Sequence, residues 1–122
     1  MSTHAISNAE AWMENIREMV EALDNKDPET AATAATEIYE SPLSLLVRSG
    51  WTAIDGEMTP EEYEILLSTG GPALRIIGTL RNQSPDTARL EWQDWGTPWT
   101  EYVLSSEDED ILRRFAEQFL FE

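Results

Sequence analysis

The chain has 122 residues, 41% of them hydrophobic, which is enough for one domain whose core needs no covalent staples. With no cysteine and a single histidine, it excludes a disulfide framework, a thiolate metal site, a cysteine nucleophile and a multi-histidine metal site. Eight basic residues against 24 acidic ones leave a formal charge of -16, a field that repels nucleic acid and anionic membrane and attracts basic surfaces.

The acidity is spread along the chain: residues 1–42 carry -7, 43–104 carry -5 and 105–122 carry -4. Glutamate outnumbers aspartate 17 to 7, and Lys26 is the only lysine. The same composition also fits a charged surface that serves solubility alone, or a saline habitat. The first twenty residues show no basic start followed by an apolar run, and no stretch of 18 apolar residues occurs, so a soluble, cytoplasmic protein is expected.

The first predicted element is a helix over about residues 8–24. Ser7 with Glu10 spells a capping box, and Trp12, Ile16, Met19, Val20 and Leu23 recur at helical spacing. "DNKDPET" breaks it, and Asp27-Pro28 is an N-cap and first-turn pair for a second, alanine-rich helix, "PETAATAATEIYE", that closes before Ser41-Pro42. From Leu43 the apolar period shortens to two. Four strands follow: Leu43, Leu45 and Val47; Tyr63, Ile65 and Leu67; Leu74, Ile76 and Leu80; Ala88, Leu90 and Trp92 each fall on one face. Gly70-Gly71 signals a hairpin, "RNQSPD" a longer turn, and "PWTEYVL" a fifth strand. Thr59, Pro60 and Glu62 also spell a helix start, so a short helical turn at 59–62 is expected before the second strand. Ser106 with Glu109 caps a terminal helix over 106–119, with Ile111, Leu112, Phe115, Ala116 and Phe119 as its apolar stripe. The pattern predicts an α+β domain over 1–122: a helical hairpin to residue 41, an antiparallel sheet of four to five strands over 42–104, and a C-terminal helix packed on it.

Catalytic chemistry is sparsely provided. His4 is expected in a frayed terminus and Lys26 in an inter-helix turn, which leaves neither an imidazole triad nor a buried amine. "STGGPA" reads as a tight turn, not a phosphate loop, because no lysine follows. No catalytic residue, cofactor or metal is expected, and the protein is read as a non-enzyme. Two features point instead to binding. Glu10, Glu14 and Glu18 follow one another at i, i+4 with Glu21 one turn on, opposite the apolar face, where their mutual repulsion opposes the helix. The carboxylates stand about 6 Å apart along the axis, comparable to successive phosphates on a nucleic-acid strand. The second feature is "WQDWGTPWTEY", residues 92–102, with three of the five tryptophans. There Trp92 belongs to the core face, Asp94 interrupts it, and Trp95 and Trp99 fall at the sheet's rim, available for packing or for partner contact.

The phrases "SPLSLLVRSGW", "EYEILLSTGGPALRIIGTL" and "ARLEWQDWGTPWTEY", between Ser41 and Tyr102, resemble a family of small acidic proteins of unknown function carried by prophages, plasmids and other mobile elements. The resemblance covers about half the chain, omits the two N-terminal helices, and carries no catalytic residues. It implies a context in which small acidic proteins inhibit host defence, as anti-CRISPR or anti-restriction proteins that imitate nucleic acid.

Together these features predict an interaction protein that binds a basic host protein or nucleoprotein effector, with no direct nucleic acid or membrane contact. Its partner-binding residues are expected to be Glu10, Glu14, Glu18, Glu21, Asp94, Trp95 and Trp99. Two other readings are a carbohydrate or small-ligand module built on Trp92, Trp95 and Trp99, and an acidic scaffold that forms a homodimer.

Overall fold

The computed structural model describes residues 3–121. In chain order the elements are α1 (Thr3–Leu23), α2 (Pro28–Glu40), β1 (Ser44–Ser49), β2 (Pro60–Ser68), β3 (Ala73–Arg81), β4 (Ser84–Pro85), β5 (Arg89–Gln93), β6 (Thr100–Tyr102) and α3 (Ser106–Ala116). The sheet is antiparallel throughout, in the order β1-β2-β3-β5-β6, with the short β4 pairing beside β3. This is the α+β architecture that the sequence pattern predicts. Among the described residues no helix is long and apolar enough to cross a membrane.

All three helices lie on one face of the sheet. α1 is the central helix, with α2 and α3 both packed on it, and it also touches β3 and β5. Its buried stripe is Ala5, Ala9, Met13, Ile16 and Val20. Two alanines in that stripe bring the helix backbone close to the strands. They also move its start from the expected residue 8 to Thr3, because burying Ala5 and Ala9 favours helix through the first turns. Ser7 therefore stands exposed inside the helix and not at a cap, and His4 sits in the helix's first turn.

The facing strands contribute Tyr63, Ile65 and Leu67 from β2, Leu74 and Ile76 from β3, and Leu90 and Trp92 from β5. The expected helical turn at 59–62 is absent: Pro60 already opens β2, and Glu62 is in register with Arg48 and Thr79. The period-two burial of Tyr63, Ile65 and Leu67 overrides the local capping signal, since a helix there would keep Tyr63 and Leu67 on one face and turn Ile65 away from the core. The expected long turn at "RNQSPD" is tight instead. Asn82 (φ 52°) and Gln83 (φ 66°) take left-handed conformations between Arg81 and Ser84, the geometry of a two-residue hairpin.

Phe115, Phe119 and Phe121 close the core from the C-terminal segment, and Phe121 meets Tyr63 with ring centroids 4.9 Å apart. The cap of α3 lies one residue earlier than the sequence suggests: Ser105 Oγ accepts from the Asp108 N–H at 3.1 Å. Glu107, Asp108 and Glu109 in the first turn and Arg113 and Arg114 in the last complement the helix dipole. Tyr63 donates to the Thr87 carbonyl at 2.6 Å, and Gly78 lies beneath both groups. A Cβ at Gly78 would stand 2.9 Å from the Tyr63 ring and closer still to the Thr87 carbonyl.

The opposite sheet face is uncovered and carries a charge network. Arg75 donates to Glu91 (2.9 Å from Nε, 2.7 Å from Nη2) and to Glu64 (2.7 Å), and its guanidinium lies 4.2 Å from the centre of the Trp99 ring. Glu91 stands directly across the ladder from Glu101, a like-charge pairing that the cations Arg75 and Arg89 offset.

Candidate functional site

The glutamate stripe faces away from the sheet. Glu10, Glu14, Glu18 and Glu21 are all exposed, on the side of α1 opposite Ile16 and Val20. Arg17 at the edge of this face bonds Glu14 (2.5 Å) and reaches across to Asp108 of α3 (2.8 Å), which fixes α3 beside α1. The Asp108 carboxylate holds the Arg17 guanidinium above its ordinary pKa. Asp24 and Arg114 form a second clasp, two bonds of 2.9 Å, with Asp24 held below the usual carboxylate range by that arginine. Among the described residues, Glu10, Glu18 and Glu21 form no ion pair.

On its other flank α1 forms a groove with α2, a hollow of about 780 Å³. Its rim holds five carboxylates, Glu18, Asp27, Glu29, Glu37 and Glu40, and its floor is Trp12, Met19, Ala22 and Ala34. None of the five has a basic partner among the described residues. Asp27 accepts from the Thr30 hydroxyl at 2.8 Å. The groove exists because the face of α2 toward α1 is built from small residues: Thr30, Thr33 and Ala34 leave room that longer side chains would fill. Of the residues the sequence singles out, only Glu18 enters this groove; Glu10, Glu14 and Glu21 stand beyond its rim. The α2 acids Glu29, Glu37 and Glu40 escaped notice because alanine richness reads as close packing. The signal that would have found them is the row Thr30, Thr33, Ala34 and Glu37 at i, i+3, i+4, i+7, a small-residue face that ends in an acid and is preceded one turn earlier by Asp27.

The tryptophan cluster is dispersed. Trp92 is buried on the helical side of β5, in register with Leu74 and Thr100. Trp99 is half-buried on the outer side, over Arg75. Trp95, 82% exposed, lies across Gly71 at the β2–β3 turn. The three rings do not form one platform. Asp94 is half-buried and organises its own turn: its carboxylate accepts from the Trp95 N–H (2.9 Å), and its N–H and carbonyl both bond the Thr97 hydroxyl (3.0 Å each). A smaller hollow of about 340 Å³ lies beside β1 on the outer sheet face, but the charges around it are already matched, Arg48 with Glu62 and Arg75 with Glu64.

The chemical contrast between the two faces is sharp. Three outer-face acids, Glu62, Glu64 and Glu91, are paired with arginines on that face, whereas the helical layer leaves most of its own acids unmatched, five of them around a groove with an apolar floor. Unpaired carboxylates beside exposed aliphatic surface suit a cationic macromolecule whose lysine or arginine stems can lie along the floor. Comparison with known protein families, with characterised proteins and with solved structures finds no match in any of the three.

Proposed function

We propose that this is a non-enzymatic acidic interaction protein that docks a basic protein or nucleoprotein surface onto its helical layer, with the α1–α2 groove at the centre of the contact. One observation carries the reading: five carboxylates without basic partners among the described residues ring a groove of about 780 Å³ floored by Trp12 and Met19. Folding accounts for only two of the five, Asp27 at the N-cap of α2 and Glu29 in its first turn, while Glu18 continues the Glu10–Glu14–Glu18 row that opposes its own helix. A basic partner removes the repulsion and covers the apolar floor in one step. Such association is fast and strongly salt-dependent, because complementary charge acts mainly on encounter.

The resemblance to acidic proteins of mobile elements adds the class of partner: a nucleic-acid-binding complex of host defence, to which the Glu10, Glu14, Glu18 and Glu21 stripe presents the charge of a nucleic-acid strand. Trp95, exposed at one end of the sheet, is a secondary contact in this proposal. The test is capture of such effector complexes by the tagged protein at low salt, run beside a variant with Glu10, Glu14, Glu18 and Glu21 changed to lysine. Binding by the parent chain and loss in the variant support the reading. Equal capture by both contradicts it.

A further inference from the structure

The edge of the sheet at β1 is built unlike the other edge. β6, at the far side, is three residues long and carries Glu101, both of which blunt an edge against pairing. β1 is six residues long and its outer hydrogen-bonding edge is unpaired among the described residues. Its one charge, Arg48, is tied to Glu62 on the neighbouring strand. Leu45 and Val47 on the helical side and Leu46 on the other are all exposed, by 41%, 43% and 57%. From Ser41 to Ile54 there is no acid at all, in a chain of net charge -16.

We propose that β1 pairs antiparallel with β1 of a second copy, across a two-fold axis at Leu46, so that two sheets become one. Three observations single out a second copy as the occupant. The ladder of β1 with β2 is regular from Ser44 to Arg48 and shifts register between Arg48 and Ser49, so the straight part of the edge is centred on Leu46. Antiparallel pairing about that centre sets Leu46 against its own mate, Leu45 against Val47, and Ser44 against Arg48, which places apolar groups together on both faces and leaves no like charges opposed. Past the strand, exposed Trp51, Ile54 and Met58 follow one end while exposed Tyr39 and Leu43 precede the other. A two-fold axis brings the first group of one copy beside the second group of its mate. These exposed side chains together offer on the order of 900 Å² per copy, against the roughly 800 Å² per partner of a standard interface. Only the last turn of α2, through Tyr39, reaches the contact; the rest of the acidic helical layer remains outside it.

Charge gives this association a salt dependence opposite to that of basic-partner binding. Each copy is strongly anionic, so screening relieves their mutual repulsion and dimerisation strengthens with salt. The absence of cysteine makes a clean test available. In a Leu46→Cys variant the two thiols face each other at the axis, within the Cα separation of a disulfide. Under mild oxidation that variant crosslinks to near completion, while Val103→Cys, exposed just past β6 on the opposite edge of the sheet, does not. Light scattering of the unmodified chain gives twice its 13.8 kDa mass, increasingly so as salt rises. Leu46→Lys, which opposes two charges across the axis, weakens the dimer by about tenfold or more with an unchanged circular dichroism spectrum. A monomer at every salt concentration, equal crosslinking of both cysteine variants, or an undiminished dimer in Leu46→Lys overturns the proposal. The monomer result would assign the edge to a strand from a different protein.

Discussion

Replacing both Glu10 and Glu18 by glutamine should make the protein more stable. The two changes eliminate three like-charge neighbours, Glu10–Glu14, Glu14–Glu18 and Glu18–Glu21, and spare every group that Arg17 uses, namely Glu14, Asp108 and Glu21. Each such pair costs a helix about 0.2–0.5 kcal/mol, so the gain is about 1 kcal/mol in low salt. For a chain of 122 residues that corresponds to a rise in melting temperature of about 4 °C. The carboxylates are about 6 Å apart along the helix, so in 1 M salt, where the screening length is only about 3 Å, most of the gain should vanish. Thermal unfolding by circular dichroism in 20 mM and 1 M sodium chloride reads both quantities. A variant less stable than its parent in low salt, or a gain that survives high salt, would refute the reasoning, because either would mean these carboxylates already have partners. The same variant loses affinity for a basic partner, so the account predicts a trade of binding for stability at two surface positions.

Three further outcomes follow from the core and the outer sheet face. Gly78→Ala should cost about 3 kcal/mol by chemical denaturation, since the added methyl meets the Tyr63 ring and the Thr87 backbone, whereas Gly50→Ala, which meets only the mobile end of Glu61, should change stability by less than about 0.5 kcal/mol. Burial pushes the Tyr63 phenol above its ordinary value, so its folded form keeps a proton that the unfolded form loses. That contribution is complete below about pH 10 and is lost as pH rises from there toward the folded value, at about 1.4 kcal/mol per pH unit, and Tyr63→Phe should flatten the alkaline slope by one proton in denaturation measured from pH 9 to 11.5. Arg75→Leu leaves the largely buried Glu91 with only its longer contact to Arg89 and should cost about 2 kcal/mol, and adding Glu91→Leu should recover part of it in a double-mutant cycle.

The sequence made the architecture legible because its periods switch cleanly, from helical spacing before Ser41 to alternation after Leu43, and back to helical spacing after Ser105. Strand positions such as Tyr63, Ile65 and Leu67 could be assigned to the core face from alternation alone, and burial agrees. The errors fell where a local signal competed with tertiary burial. Ser7–Glu10 spelled a cap that the packing of Ala5 and Ala9 made irrelevant, and Thr59–Glu62 spelled a helix start that the sheet overrode. The glutamate stripe was visible as one helix face, because its spacing is a property of one element. The groove was not, because it is a property of two: Glu18 and Glu37 are nineteen residues apart and meet only when α2 lays its small-residue face along α1. The tryptophans misled for a related reason. Closeness in sequence put Trp92, Trp95 and Trp99 together on the page, and strand alternation with the turn at Gly96 sent them to different surfaces.

The most direct test of the central claim is the salt dependence of binding between the captured basic partner and two forms of this protein: the parent chain and a variant with Glu18, Glu29, Glu37 and Glu40 changed to glutamine. For the parent, affinity should fall steeply as sodium chloride rises from 50 to 300 mM, and the variant should bind more weakly at low salt with a clearly shallower slope. Superimposable curves for the two proteins would contradict the account, since they would place the partner away from the α1–α2 groove.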